Sequence, residues 1–210
     1  METRMLNPDI EGLLPDIASE IVNIDETRRT RLREIAEWIR VRAEAGEDAP
    51  MTFICTHNSR RSHISQLWAQ AFAWKHELDH VRTFSGGTEA TAFHPNAVDA
   101  LRTCGFDIQG DSDQANPRYS VRYAFAADPI IAFSKTFGDA ENPANGFAAI
   151  MTCSDADEAC PFVPGAAARF SLPYEDPKKS DGSPDEVMVY HARCVQIAAE
   201  MLYLVRSVRT

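Results

Sequence analysis

No run in the 210 residues approaches the roughly eighteen apolar positions of a membrane-spanning helix, and the opening METRMLNPDIEGLL lacks the basic-then-apolar layout of a secretory leader. No membrane association is expected, and a reducing cytoplasm is the expected setting. Basic charge is also short. The 21 lysines and arginines face 31 acids, a net charge of −10, which argues against broad binding to nucleic acid or anionic lipid. Any anion site must therefore be local. The five cysteines, Cys55, Cys104, Cys153, Cys160 and Cys194, are odd in number, so a full disulfide framework is not expected. The short C-x2-4-C rhythm of zinc sites is missing, and His63, His94 and His191 read as surface or packing residues, so no metal is expected. There is no internal repeat and no low-complexity tract.

What remains is an ordinary globular composition, 44% hydrophobic and 25% charged. Residues 1–48 read as a helical extension. DIEGLLPDIASEIVNI is expected to break at Pro15, while DETRRTRLREIAEWIRVRAEAGED opens at a capping Asp25 or Thr27 and stops near Gly46. Leu32, Ile35 and Ile39 recur at helical spacing, a stripe that packs against the rest of the chain or forms a homodimer. From Pro50 the texture changes to MTFIC, a short β-leaning run, followed by a helix with Ile64, Leu67, Trp68, Ala71 and Phe72 on one face. VRTFSGG reads as a strand, PNAVDALRTCGF as a helix stopped by Gly105, and FAAIMTC as a buried strand. SDADEACPFVPG reads as a loop or short helix, and DEVMVYHARCVQIAAEMLYLVRSV as a long closing helix. Between Gln109 and Phe147, YSVRYAFAADPIIAFSK suits a hairpin or two strands around Asp128-Pro129. Strands alternating with helices imply a parallel α/β sheet.

In such a sheet, ligands bind beyond the carboxyl ends of strands, where loop and helix N–H groups converge. Cys55 ends its strand there, and the stretch Thr56, His57, Asn58, Ser59, Arg60 leads into the following helix. The helix dipole and the guanidinium groups of Arg60 and Arg61 would favour the thiolate, which is the nucleophilic form. Arg61, six positions after Cys55, can turn its fork over the mouth of the loop to grip two oxygens of a tetrahedral anion. Asn58 can fix the loop, and Ser62 can hydrogen-bond the sulfur.

The string CTHNSRRS after an apolar strand resembles the low-molecular-weight protein tyrosine phosphatases and the thioredoxin-coupled arsenate reductases of the same fold. Cys55, Asn58, Arg61 and Ser62 match their loop. FSGGTEATAFHPNAVDALRTCGFDI resembles the family's second strand and helix, and YEDPKK its acid loop. The resemblance implies a four-stranded parallel sheet flanked by helices over residues 49–210, with an insertion within 110–147. It also implies Asp176 as general acid, an arsenate or phosphate-like oxyanion as substrate, and no bound cofactor. Two positions depart from the pattern. His57 stands where glycine is usual, and a glycine position can demand a backbone conformation costly to other residues. Arg60 stands where many members carry a second cysteine.

Cys153 and Cys160 are seven residues apart, about 10.5 Å along an ideal helix, whereas a disulfide needs Cα atoms within roughly 4.4–6.8 Å. They can bridge only if the segment unwinds. The run CSDADEACP also resembles the thioredoxin-coupled reductases, which implies a relay: Cys55 attacks the oxyanion, Cys153 attacks Cys55, Cys160 attacks Cys153, and thioredoxin reduces the Cys153–Cys160 disulfide. A phosphatase would need Cys55, the loop and Asp176 alone. However, Lys178 and Lys179 follow the Asp-Pro pair where such phosphatases usually place aromatic residues. A third reading is an inactive phosphate-binding or interaction module.

Overall fold

The computed structural model describes residues 3–110 and 113–209; positions 1–2 and 210, at the ends of the two expected segments, and 111–112 of the expected insertion lie outside the described residues. In chain order the elements are α1 (Pro8–Glu20), α2 (Glu26–Glu44), β1 (Ala49–Cys55), α3 (Arg61–Lys75), β2 (Val81–Gly87), α4 (Pro95–Thr103), β3 (Asp107–Gln109), β4 (Tyr119–Arg122), β5 (Ile130–Ala132), β6 (Phe147–Met151), α5 (Ser154–Ala159), β7 (Ala166–Ser171) and α6 (Glu186–Val208).

The Asp25 carboxylate opens α2 by accepting the Arg28 N–H at 2.8 Å, which satisfies one orphan donor of the first turn. The expected break at Pro15 does not occur, and α1 runs through it. Proline removes one intrahelical bond and crowds the carbonyl four residues earlier. That loss is offset by burial on either side, since Ile10 and Ile17 are fully enclosed and α1 packs along α6. The α2 stripe Leu32, Ile35, Ala36 and Ile39 is buried in the chain's own core. A dimer through the extension would have to use other faces.

β1 is buried at nearly every position, as befits a central parallel strand covered on both faces. It pairs in parallel with β2 on one side, Cys55 opposite Gly87, and with β6 on the other, Ile54 opposite Met151. β7 adds in parallel to β6, giving the order β2-β1-β6-β7. The four-stranded parallel sheet is thus present, and its fourth strand is AAARFS, a segment the sequence does not mark as a strand. β3, β4 and β5 form a separate antiparallel sheet, with Tyr119–Arg122 and Ile130–Ala132 as a hairpin around Asp128-Pro129. Its outgoing strand leads to a single parallel bridge, Gly87 with Thr136. Residues 134–136 of the expected insertion therefore lie beside the end of β2 and against the loop that follows β1. No helix among the described residues is long and apolar enough to cross a membrane.

Candidate active site

Cys55 is the last residue of β1, buried and free. Its sulfur lies 3.1 Å from the Ser62 hydroxyl in the first turn of α3. The Asn58 amide donates to the same hydroxyl at 2.9 Å, and its carbonyl oxygen accepts the Lys135 N–H at 2.9 Å. Asn58 is thus the pin of the loop, and it holds a left-handed φ of 45°, a conformation asparagine tolerates better than most residues. His57, in the glycine position, is not among the residues with positive φ. The loop's unusual backbone turn falls one residue later than the departure from the family pattern, so the histidine is accommodated without that strain. Its Nε2 reaches Glu89 at 2.9 Å on the half-exposed rim.

Loop carbonyls are held from outside. Thr56 O accepts from the Glu89 N–H and the Thr88 hydroxyl, His57 O from Ser134 Oγ, and Ser59 O from the His94 N–H. The side chains of Thr88 and Ser134 were not legible as site residues; the signal that pointed toward them is the double glycine of FSGG. A Cβ on Gly87 would lie 2.6 Å from Thr56 O and 2.7 Å from the Asn58 nitrogen, so only glycine lets β2 pass this close to the loop.

The two arginines part company. Arg61 donates to the Tyr174 carbonyl at 2.9 Å and to Asp176 Oδ2 at 2.6 Å, so the expected clamp and the expected acid are in direct contact. Asp176 also caps the short 3-10 turn Pro177–Ser180 by accepting the Lys178 N–H at 3.0 Å. Arg60, by contrast, commits its guanidinium to the Tyr190 hydroxyl at 2.6 Å and to Asp181 at 2.9 Å. The second guanidinium expected beside the sulfur is tied to α6 and its approach instead. Burial, with the Asp181 carboxylate beside it, pushes the Tyr190 hydroxyl well above its ordinary range, so it stays a proton donor to that carboxylate.

Cys153 follows β6 and caps α5, its sulfur accepting the Ala156 N–H at 3.4 Å. The Thr56 hydroxyl of the loop lies 3.5 Å from that sulfur. Cys55 and Cys153 share one small apolar cluster with Ile54, Met151 and Ala156, against which Cys160 packs. Cys160 caps the other end of α5 and is partly exposed. Arg169 of β7 clamps this helix: it donates to the Asp157 carboxylate, to the Asp157 carbonyl at 2.6 Å and to the Cys160 carbonyl at 3.1 Å. Cys104 and Cys194 lie elsewhere, fully buried with sulfurs 3.6 Å apart, and burial raises the Cys194 thiol well above its ordinary value. These two are packing residues. Among the described residues no group of three or more His, Cys, Asp or Glu side chains is arranged to hold a metal ion.

No family profile matches the chain. An arsenate reductase from Bacillus licheniformis is 32% identical over 141 residues, which is 67% of this chain and 83% of that protein. A low-molecular-weight protein tyrosine phosphatase from T. tengcongensis superposes with a TM-score of 0.50 at 16% identity, over 76% of this chain and 99% of the other. An arsenate reductase in its phosphate-binding state superposes with a TM-score of 0.50 at 17% identity, over 76% and 98%. At such identities the superpositions speak to the fold, while the sequence match reaches further. The chain is therefore an enzyme of the low-molecular-weight protein tyrosine phosphatase fold family, belonging with its arsenate reductases.

Proposed function

We propose that the protein reduces arsenate through three of its thiols, Cys55, Cys153 and Cys160, with thioredoxin as external reductant and no bound cofactor. The observation that carries this reading is the place of Cys153. Its sulfur is 3.5 Å from a loop hydroxyl and in the same apolar cluster as Cys55, while its partner Cys160 waits at the exposed end of α5. Hydrolysis of a phosphate ester through a phosphocysteine uses no thiol besides the nucleophile.

The chemistry runs through thiolates. The Cys55 sulfur attacks arsenic, and an arsenic–oxygen bond breaks as Asp176 protonates the departing hydroxyl, which leaves as water. Arg61 turns its fork from Asp176 to the bound oxyanion, and the loop N–H groups take the remaining oxygens. Cys153 then attacks the Cys55 sulfur. A disulfide forms, the sulfur–arsenic bond breaks, and its electron pair stays on arsenic, which departs as arsenite. Cys160 attacks Cys153 as α5 unwinds, freeing Cys55, and a thioredoxin dithiol reduces the Cys153–Cys160 disulfide. A reducing compartment suits this cycle. Residues 49–210 carry the chemistry, and residues 1–48 brace it.

A second reading, hydrolysis of phosphotyrosine or a small phosphate ester through a phosphocysteine, is supported by Cys55, Ser62, Arg61 and Asp176 alone. Lys178 and Lys179 beside the acid offer an aromatic ring little to stack on, which favours the small oxyanion. The deciding experiment couples arsenate reduction to NADPH oxidation through thioredoxin and its reductase, beside phosphatase assays. Cys55→Ser should abolish all turnover, and Cys153→Ser should abolish reduction. Full reductase turnover in Cys153→Ser would sink the relay.

A further inference from the structure

We propose that Arg28, in the helical extension, is a positioning residue for the acid loop, fixing the places of both Asp176 and Arg61. The proposal rests on the assignment of Asp176 as proton donor and Arg61 as oxyanion clamp. Arg28 lies on the first turn of α2, far in sequence from the loop it serves. Its Nε donates to Glu200 Oε2 of α6 at 2.8 Å, one terminal nitrogen to the Pro173 carbonyl at 2.9 Å and the other to the Leu172 carbonyl at 3.5 Å. The same guanidinium lies over the Tyr174 ring, 4.4 Å from its centre. Tyr174 in turn donates its hydroxyl to Glu200 Oε2 at 2.8 Å.

These contacts meet at the loop's critical residue. The acid loop leaves β7 and is tied to the end of β6 by the Leu172 N–H on Met151 O and the Tyr174 N–H on Thr152 O. Those bonds fix one edge of the backbone; Arg28 holds the carbonyls of residues 172 and 173 and the ring of residue 174. Tyr174's own carbonyl is the acceptor that orients Arg61, and Asp176 follows two residues later. A tilt at residue 174 would move both groups together. The pairing is nearly closed to water, with the side chains of Arg28 and Glu200 12% and 3% exposed. A planar fork is needed, because a lysine ammonium on a flexible stem is a point charge that cannot reproduce the same set of bonds while stacking on the ring. The extension therefore contributes to the reaction through the loop.

The test uses the full chain with Arg28→Lys, which keeps the buried charge. Two measurements are made: hydrogen exchange at the Leu172 and Tyr174 amides, and the single-turnover rate of oxyanion chemistry, read as arsenite formed or as phosphate released from a monoester. Exchange at those two amides should rise at least about tenfold, with the Phe53 and Ile54 amides of β1 unchanged; the rate should fall by about 10–100-fold, the scale of a misplacement near 1 Å. In the Asp176→Asn background, Arg28→Lys should slow the reaction by less than in the wild type, because only its action through Arg61 remains. Unchanged exchange at 172 and 174 overturns the proposal, as does an equal slowing with and without Asp176. If Arg28→Lys does not fold, Arg28→Met combined with Glu200→Gln is read by the same criteria, since it leaves no lone charge buried. Should the wild type show neither activity, the functional reading fails, and the exchange measurement still decides the role of Arg28.

Discussion

Replacing Arg169 with methionine should speed closure of the Cys153–Cys160 disulfide. The two thiols cap opposite ends of α5, so their Cα atoms must approach by about 4 Å from the helical spacing before a bond can form. A six-residue helix has little stability of its own, and here Arg169 holds its last turn through the Asp157 carboxylate and the carbonyls of Asp157 and Cys160. Both ion-pair side chains are about a quarter exposed, which lowers the charge-assisted bonds from about 1.5–3 kcal/mol each toward the range of surface pairs. A clamp worth about 1–2 kcal/mol implies a 5–30-fold larger unwound population without it. Methionine keeps the apolar stem and removes the fork. The assay uses a Cys55→Ser background, in which oxidised glutathione first forms a mixed disulfide at the partly exposed Cys160. Cys153 then attacks that sulfur and releases glutathione, and the closure rate is followed by alkylation and mass. Closure at the same rate with and without Arg169 would refute the clamp.

The fold was legible where burial and chemistry agree. MTFIC and VRTFSGG are apolar and β-leaning, and both are strands at the expected places. The Asp25 cap and the Gly105 stop, with its φ of 98°, also stand where residue chemistry puts them. β7 was hidden because AAARFS has three alanines and an arginine, and its faces are only half covered. What makes it a strand is the edge offered by β6, a tertiary effect. Pro15 misled for the same reason, since local breakage lost to the burial of Ile10 and Ile17.

At the site, the sequence carried the spacing of Cys55, Asn58, Arg61 and Ser62; the structure joins Cys55, Ser62 and Asn58 in one network and pairs Arg61 with Asp176 in another. What it could not carry is which arginine turns which way, because that depends on partners more than a hundred residues downstream. Arg60 finds Tyr190 and Asp181; Arg61 finds Tyr174 and Asp176. Arg28 and Arg169 had no local signature, since each acts in part through backbone carbonyls that any sequence supplies.

Gly87→Ala should lower the thermal midpoint and weaken phosphate binding, because its Cβ meets only backbone, Glu89 O at 2.2 Å and the loop atoms of Thr56 and Asn58; overpacking of this kind costs about 1–3 kcal/mol, and an unchanged midpoint in calorimetry would refute the close approach. His63 is fully buried and stacked on Phe93; burial first, and the Lys135 charge second, hold its imidazole well below the ordinary value. The unfolded chain therefore binds the extra proton, so this stability is full above about pH 6.5 and falls below it by up to about 1.4 kcal/mol per unit until the folded value is reached; urea midpoints at pH 7.5 and 5.5 should differ less in His63→Gln than in the wild type. Asp176→Asn should move binding and turnover in opposite directions. The carboxylate holds Arg61 at 2.6 Å, so an oxyanion that takes the Arg61 fork must displace it. Asparagine can keep the cap on Lys178 but brings no charge, and freeing Arg61 from a partly exposed pair worth about 1 kcal/mol should tighten inorganic phosphate about fivefold by calorimetry. Losing the proton donor should meanwhile slow single-turnover chemistry by about 10²–10⁴-fold. Weaker phosphate binding with turnover intact would mean that Asp176 serves to orient Arg61, and the assignment of the acid would fall.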